Sequence, residues 1–225
     1  MCTLYIDLDD TYKDTERYIR KILIANGVSV PHYIKSVYSL LLYDKGNRYS
    51  HINPVIPEML SLVCPELEDV SSEVEAVFKE VMGSYSVIPN KCGAEDCLNL
   101  LKTEYDVTLF SAYTFEHEKV EKVKFAKSLG VDSLIVPYGK KQETVLKLGG
   151  IVVDDDPRVI NELKGVERYL MYSPYSYCKV GNGVKVVSDW YRLCDTLLEV
   201  DIAEDDIRTS IYKGIPVSNR CSCRV

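Results

Sequence analysis

The sequence predicts an α/β fold: a parallel sheet flanked by helices, with a helical segment inserted after the first strand. Three observations carry that expectation. A short apolar run at the N-terminus, Leu4-Tyr5-Ile6, stops at acidic residues. Residues 14–84 then read as helices with no convincing strand. From Gly93 onward, helical and strand-like segments alternate strictly, the pattern of a parallel sheet with right-handed crossovers.

Leu4-Tyr5-Ile6 is short and apolar enough to be a buried strand. Tyr18 to Ile24 has helical spacing, and Asn26-Gly27 supplies a stop. Ile34 to Leu42 is a second helical candidate, Asp44-Lys45-Gly46-Asn47 a loop, and Pro57 to Leu62 a further helix. Val70 to Met82 carries Val70, Val74, Val77, Phe78 and Val81 on one stripe, the mark of an amphipathic helix. The alternation then runs through a helix at Gly93 to Leu101 and a strand at Val107 to Phe110. A helix from Glu118 to Leu129 stops at Gly130, before a strand at Ser133 to Val136. A short helix from Gln142 to Leu148 stops at Gly149-Gly150, before a strand at Ile151 to Val153. Val159 to Leu163 reads as a helix, Tyr169 to Tyr172 as a strand, and Trp190 to Leu198 as a closing helix. The expected organisation is a core from residues 1–13 and 85–200, a small helical cap at 14–84, and a tail at 201–225 without clear periodicity.

Composition narrows the function classes. The chain has 225 residues, 46% hydrophobic and 27% charged, enough for one full domain and a smaller module. No run approaches the roughly 20 apolar residues needed to cross a bilayer. The start lacks the basic region and apolar core of a signal peptide, so a cytoplasmic protein is expected. The net charge of −7 and the absence of a Lys/Arg stripe disfavour nucleic acid as a partner. A protein this acidic that handles phosphates must neutralise them locally, with a metal and a few lysines. The eight cysteines lack a paired Cys-x-x-Cys, which argues for ordinary thiols rather than a zinc site. The isolated histidines 32, 51 and 117 do not form a metal-ligand pattern, and pairing with a second copy of the chain is left open.

The chemistry collects where the strands end. Ligands of a doubly wound sheet sit outside the carboxyl ends of its strands. Asp7 and Asp9 follow the first strand, two residues apart and able to converge if the chain turns there. Their mutual repulsion needs a cation or a proton to relieve it. Ser111, with Ala112, Tyr113 and Thr114 behind it, follows the second strand. Lys140 and Lys141 follow the third; Asp154, Asp155 and Asp156 follow the fourth. Carboxylates from two loops suit Mg²⁺. One carboxylate can take a phosphoryl group covalently while a second shuttles a proton. A hydroxyl and a lysine can hold the remaining phosphoryl oxygens. Asp10 reads as structural or surface rather than catalytic; most of the tyrosines read as plain packing, though Tyr12, Tyr18 and Tyr113 lie near the predicted site, where they could stack on a base.

In this arrangement the chain resembles the haloacid dehalogenase (HAD) superfamily, whose four motifs are matched in order. Asp7, Asp9 and Thr11 match its Asp-x-Asp-x-Thr, Val107 to Ser111 its second strand, Lys141 (with Lys140 as rival) its lysine, and Asp154-Asp155 its acidic pair. The resemblance implies a Rossmann-like core with a cap inserted after the first motif. It implies a Mg²⁺-dependent phosphatase with Asp7 as nucleophile and Asp9 as acid/base. Asp7, the backbone carbonyl of Asp9 and one acid of the pair, preferably Asp155, would hold the metal. Thr11, Ser111, Ala112 and Lys141 would face the phosphate. Gly93-Ala94, Tyr105-Asp106-Val107 and Val153-Asp154-Asp155-x-Pro157 are similar to the 5′(3′)-deoxyribonucleotidase group, which implies a nucleoside monophosphate as the small phosphorylated substrate. A sugar phosphate or phosphoglycolate type substrate, or a non-catalytic module on the same fold, are the competing expectations.

Overall fold

A computed structural model of the chain describes residues 1–25, 27, 76, 79–147, 149–172 and 180–199. Six strands form one sheet: β1 (Cys2–Asp7), β2 (Tyr105–Tyr113), β3 (Asp132–Pro137), β4 (Ile151–Asp154), β5 (Glu167–Met171) and β6 (Val184–Val187). Their order is β3-β2-β1-β4-β5-β6, and every pairing is parallel. The helices are α1 (Thr15–Ala25), α2 (Ala94–Leu101), α3 (Glu116–Ser128), α4 (Lys141–Val145), α5 (Pro157–Glu162) and α6 (Trp190–Leu197), with a 3₁₀ turn at Tyr85–Val87. The expected α/β architecture with a central parallel sheet is therefore present.

Strand alternation sends neighbouring side chains to opposite faces, and both faces are covered. Leu4, Ile6, Leu109, Val153 and Met171 enter the larger core, which holds Leu98 of α2, Phe125 of α3 and Trp190 of α6. Phe110, Val152 and Leu170 enter the smaller core with Ile160 of α5. Burial on both faces explains why the central strands read as near-continuous apolar runs.

The structure departs from the sequence expectation in two places, and it settles the role of Tyr12. Strand β2 continues through Ser111 to Tyr113, because β3 pairs with it as far as Tyr113↔Pro137. Ser111 therefore lies within the strand rather than after it. Strand β6 was not expected; it is a four-residue edge strand with Lys185 and Val186 exposed, so it has too little alternation to be read. Tyr12 is a core residue, fully buried and edge-on to Phe125 and Trp190, and so cannot stack on a base. The proposed helices at Ile34 to Leu42 and Pro57 to Leu62, most of Val70 to Met82, and the tail at 201–225 lie outside the described residues. Of the 14–84 segment, α1 is a helix, as is the stretch 79–83.

The two ends of that segment run side by side. Asp14 N–H donates to the Pro89 carbonyl at 2.9 Å and Lys91 N–H to the Tyr12 carbonyl at 2.8 Å. Lys13, 2% exposed, donates to the Ile88 carbonyl at 2.6 Å with its ammonium over the Phe125 ring. Burial pulls the Lys13 ammonium down to about 8. Residues 12–14 and 88–91 are thus joined by hydrogen bonds, adjacent to the end of β1. Among the described residues no helix is long and apolar enough to cross a membrane.

Gly150 opens β4 at φ +100°, and a Cβ there would lie 2.3 Å from the Thr3 carbonyl oxygen of β1. Only glycine fits this close approach at positive φ. Gly150→Ala is expected to cost about 2–4 kcal/mol from left-handed strain and overpacking together; chemical denaturation measures it.

Candidate active site

The turn after β1 is built by Leu8, whose carbonyl accepts the amides of both Tyr12 and Lys13 at 3.0 and 2.8 Å. Asp10 takes a left-handed conformation, φ 54°, and its carboxylate accepts the Glu16 amide in the first turn of α1 at 2.8 Å. That makes Asp10 a structural residue, as its sequence position suggested. Trp190 of α6 clamps the turn from below, its indole N–H donating to the Thr11 carbonyl at 2.8 Å. The turn leaves Asp7 and Asp9 on the rim of the sheet.

Asp7 ends β1 and Asp154 ends β4. The parallel register Ile6↔Val153 makes them neighbours on the sheet edge. Both are buried, 3% and 0% exposed. Lys141, at the start of α4 and itself buried, forms ion pairs with Asp7 at 2.5 Å and with Asp154 at 2.7 Å. Asp155 is half-buried and accepts the Thr11 hydroxyl at 3.2 Å. One carboxylate oxygen from each of Asp7, Asp154 and Asp155 falls within a set whose members lie within 4.8 Å of one another. Lys140 is exposed and pairs with Glu143, so Lys141 is the lysine of this rim.

Three carboxylates against one ammonium leave excess negative charge. Desolvation drives the Asp7 carboxyl well above its ordinary range; Lys141 opposes this, while Asp154, Asp155 and Asp9 reinforce it. Asp155 is likewise driven well up by desolvation, then by Asp10 and Asp154. Asp154 is raised by desolvation, with Lys141 as the main opposing influence. Lys141 is raised: desolvation disfavours its charge, and Asp154 and Asp7 outweigh that. A set of hard oxygen donors held apart from water, with charge to spare, fits a divalent cation such as Mg²⁺.

Asp9 has a different environment. Its Oδ1 accepts the Tyr85 hydroxyl at 2.9 Å and the Thr15 hydroxyl at 3.1 Å. Its Oδ2 accepts the Lys122 ammonium at 2.6 Å and the Ser111 hydroxyl at 3.2 Å. Desolvation pushes the Asp9 carboxyl up, but the Lys122 charge and the hydrogen bonds from Lys122 and Tyr85 overcome it and leave Asp9 below its ordinary range. Ala112 gives its carbonyl to Lys122 at 2.7 Å. The structure thus brings Asp7, Asp9, Thr11, Ser111, Ala112, Lys141 and both acids of the expected pair, Asp154 and Asp155, to one rim.

Lys122 and Tyr85 escaped the sequence reading. α3 carries Lys119, Lys122, Lys124 and Lys127, and residue type alone does not set Lys122 apart from the others. The available signal was spacing: Glu118, Lys122, Phe125 and Ala126 share one helical stripe, and all four are buried. Tyr85 follows the helical segment and carries no motif.

No protein-family model matches the chain, and no curated protein sequence does either. Solved structures do match. A HAD-hydrolase, YfnB of Bacillus subtilis, solved bound to magnesium, aligns with a TM-score of 0.61 at 13% identity, over 88% of this chain and 99% of that one. The fold is HAD-like. A haloacid dehalogenase-like hydrolase of Burkholderia xenovorans LB400 aligns with a TM-score of 0.55 at 14% identity, over 89% and 98% of the two chains. A dehalogenase solved with an intermediate complex aligns with a TM-score of 0.54 at 14% identity, over 87% and 96%. At such identities the likeness is one of fold.

A carboxylate raised in the folded state binds its proton more tightly than in the unfolded chain. Stability therefore falls as pH climbs above the ordinary carboxylate value of about 4. Lys141→Met removes the cation that limits this effect at Asp7 and Asp154. In metal-free buffer at pH 7.5 the variant is expected to lose about 3–5 kcal/mol, as broken buried pairs do. Most of that loss should be recovered at pH 5, as measured by urea denaturation at the two pH values.

Proposed function

We propose that this protein is a Mg²⁺-dependent phosphomonoester hydrolase that works through a phosphorylated Asp7. The observation that supports this reading most is the Asp7–Asp154–Asp155 cluster with Lys141 at the ends of adjacent strands, beside a separately held Asp9. Asp7, Asp154 or Asp155, and the Asp9 backbone carbonyl would hold the cation. When bound, Mg²⁺ neutralises phosphate charge and this carboxylate excess, so that an anionic substrate can approach.

The side chains divide the remaining work. A carboxylate oxygen of Asp7 attacks phosphorus in line with the ester oxygen; the P–O bond to the leaving alcohol breaks as the acyl phosphate forms. Lys141 and the Ser111 hydroxyl are proposed to hold non-bridging oxygens as charge redistributes, the hydroxyl turning from Asp9 to do so. Asp9 then takes a proton from water, which attacks the phosphoryl group and frees Asp7. In the first half-reaction Asp9 hands a proton to the leaving oxygen. Because Lys122 keeps Asp9 low, that donation is the weaker half of its work, and leaving groups that need little proton help should turn over best.

The substrate is proposed to be small, with a nucleoside monophosphate first by resemblance and a sugar phosphate or phosphoglycolate type second. A cytoplasmic setting fits this chemistry.

With Mg²⁺ and p-nitrophenyl phosphate the purified chain should turn over, and EDTA should abolish turnover. Asp7→Asn should lose essentially all activity, and Asp9→Asn about 10²–10⁴-fold in kcat, the range of a general acid/base. Phosphate release from a panel of nucleotides, sugar phosphates and phosphoglycolate ranks the substrates. A protein inert toward every phosphomonoester, or an Asp7→Asn variant as active as the parent, removes the proposal. Chloride release from 2-chloro acids would replace it with a dehalogenase.

A further inference from the structure

Lys122 has more partners than a lysine needs for solubility, and it is buried among them, while its partner Asp9 keeps a side chain 20% exposed. The Lys122 side chain is 1% exposed. The ammonium reaches Asp9 Oδ2 at 2.6 Å, Glu118 Oε1 at 2.7 Å, the Ala112 carbonyl at 2.7 Å and the Ser111 hydroxyl at 3.1 Å. Glu118 is itself fixed, its Oε2 accepting the Thr114 and Phe115 amides at the start of α3 at 2.8 and 3.3 Å. The connected path therefore runs from the α3 N-terminus through Glu118 and Lys122 to Asp9. From the other side Tyr85 and Thr15 hold the second Asp9 oxygen. Burying an ammonium is unfavourable unless its partners satisfy it. Here the partners include both the strand that carries Ser111 and the carboxylate proposed to move protons.

We infer that Lys122 is a positioning residue for catalysis: its buried ammonium, braced by Glu118, fixes the Asp9 carboxylate in the orientation that activates water against phosphorylated Asp7. The inference rests on the proposed phosphatase reading and extends it to a residue on α3 that touches neither substrate nor metal. Fixing a carboxylate's orientation acts on the step that this carboxylate performs, and leaves attack by Asp7 untouched. With an aryl phosphate, whose leaving group needs no proton, loss of Lys122 should slow the second half-reaction selectively.

The test uses the full chain with Mg²⁺ and p-nitrophenyl phosphate. Lys122→Met is expected to lower kcat by about 10–10²-fold with KM unchanged or lower, as loss of a transition-state interaction does. Stopped-flow should then show a p-nitrophenol burst close to one equivalent per chain, with phosphate retained on Asp7 in the quenched protein. Combining Lys122→Met with Asp9→Asn should cost no more than Asp9→Asn alone, because both changes remove one function. Tyr85→Phe, which deletes one hydroxyl on the opposite oxygen, should give a smaller loss of the same form and serves if Lys122→Met does not fold. A raised KM at constant kcat, losses that multiply in the double variant, or no burst in either variant would overturn the inference while leaving the phosphatase reading intact. Inert wild-type protein, or Asp9→Asn as active as the parent, would instead remove the phosphatase reading itself.

Discussion

Three carboxylates meet one ammonium where β1 and β4 end, and the surrounding structure is arranged around that imbalance. Parallel neighbours terminate on the same side of a sheet, so acids at the ends of β1 and β4 are forced together by register rather than by loop conformation. Lys141 bridges Asp7 and Asp154 and so lowers the cost of the pair. It does not cancel the charge, since Asp155 is added from the next position. A fold that desolvates acids and then leaves them under-neutralised is destabilised there. A bound divalent cation would relieve that imbalance.

The two carboxylates of the first motif show how environment separates like groups. Asp7 and Asp9 are two residues apart in sequence, yet one is pushed up and the other down. Both are penalised by desolvation. The difference is that Asp7 shares a single lysine with Asp154, whereas Asp9 has Lys122 and three hydroxyl donors. Paired titratable groups driven apart in this way are a mark of divided acid/base labour.

Most of the sheet was legible because its central strands are apolar runs punctuated by glycine, as at Gly130 before β3 and Gly150 before β4. The rim was legible because acids directly after apolar strands are costly unless used. Legibility failed where burial opposes residue type. Lys122 sits among lysines that are solvated, and nothing in its own identity separates it from Lys119 or Lys124. Its burial is decided by Phe125 and Ala126 on the same stripe and by a carboxylate 113 positions earlier in the chain. β6 failed for the opposite reason: a short edge strand is stabilised by one neighbour, and two of its four residues face water.

Two buried lysines, from α3 and α4, enter the site from different helices and serve different strands. Lys141 joins β1 to β4, while Lys122 joins the turn after β1 to β2 through Ala112 and Ser111. Together they tie the three central strands at the rim by charge, above the apolar contacts that tie them below. Buried ion pairs contribute little net stability compared with apolar packing. Their presence in the layer where the strands end, and the apolar residues beneath it, therefore argue for orientation rather than cohesion. Thr15 at the start of α1 and Tyr85 of the 3₁₀ turn, which donate to Asp9, belong to the same layer. The position of one carboxylate is thus set jointly by β1, by α3, by the start of α1 and by the 3₁₀ turn at Tyr85.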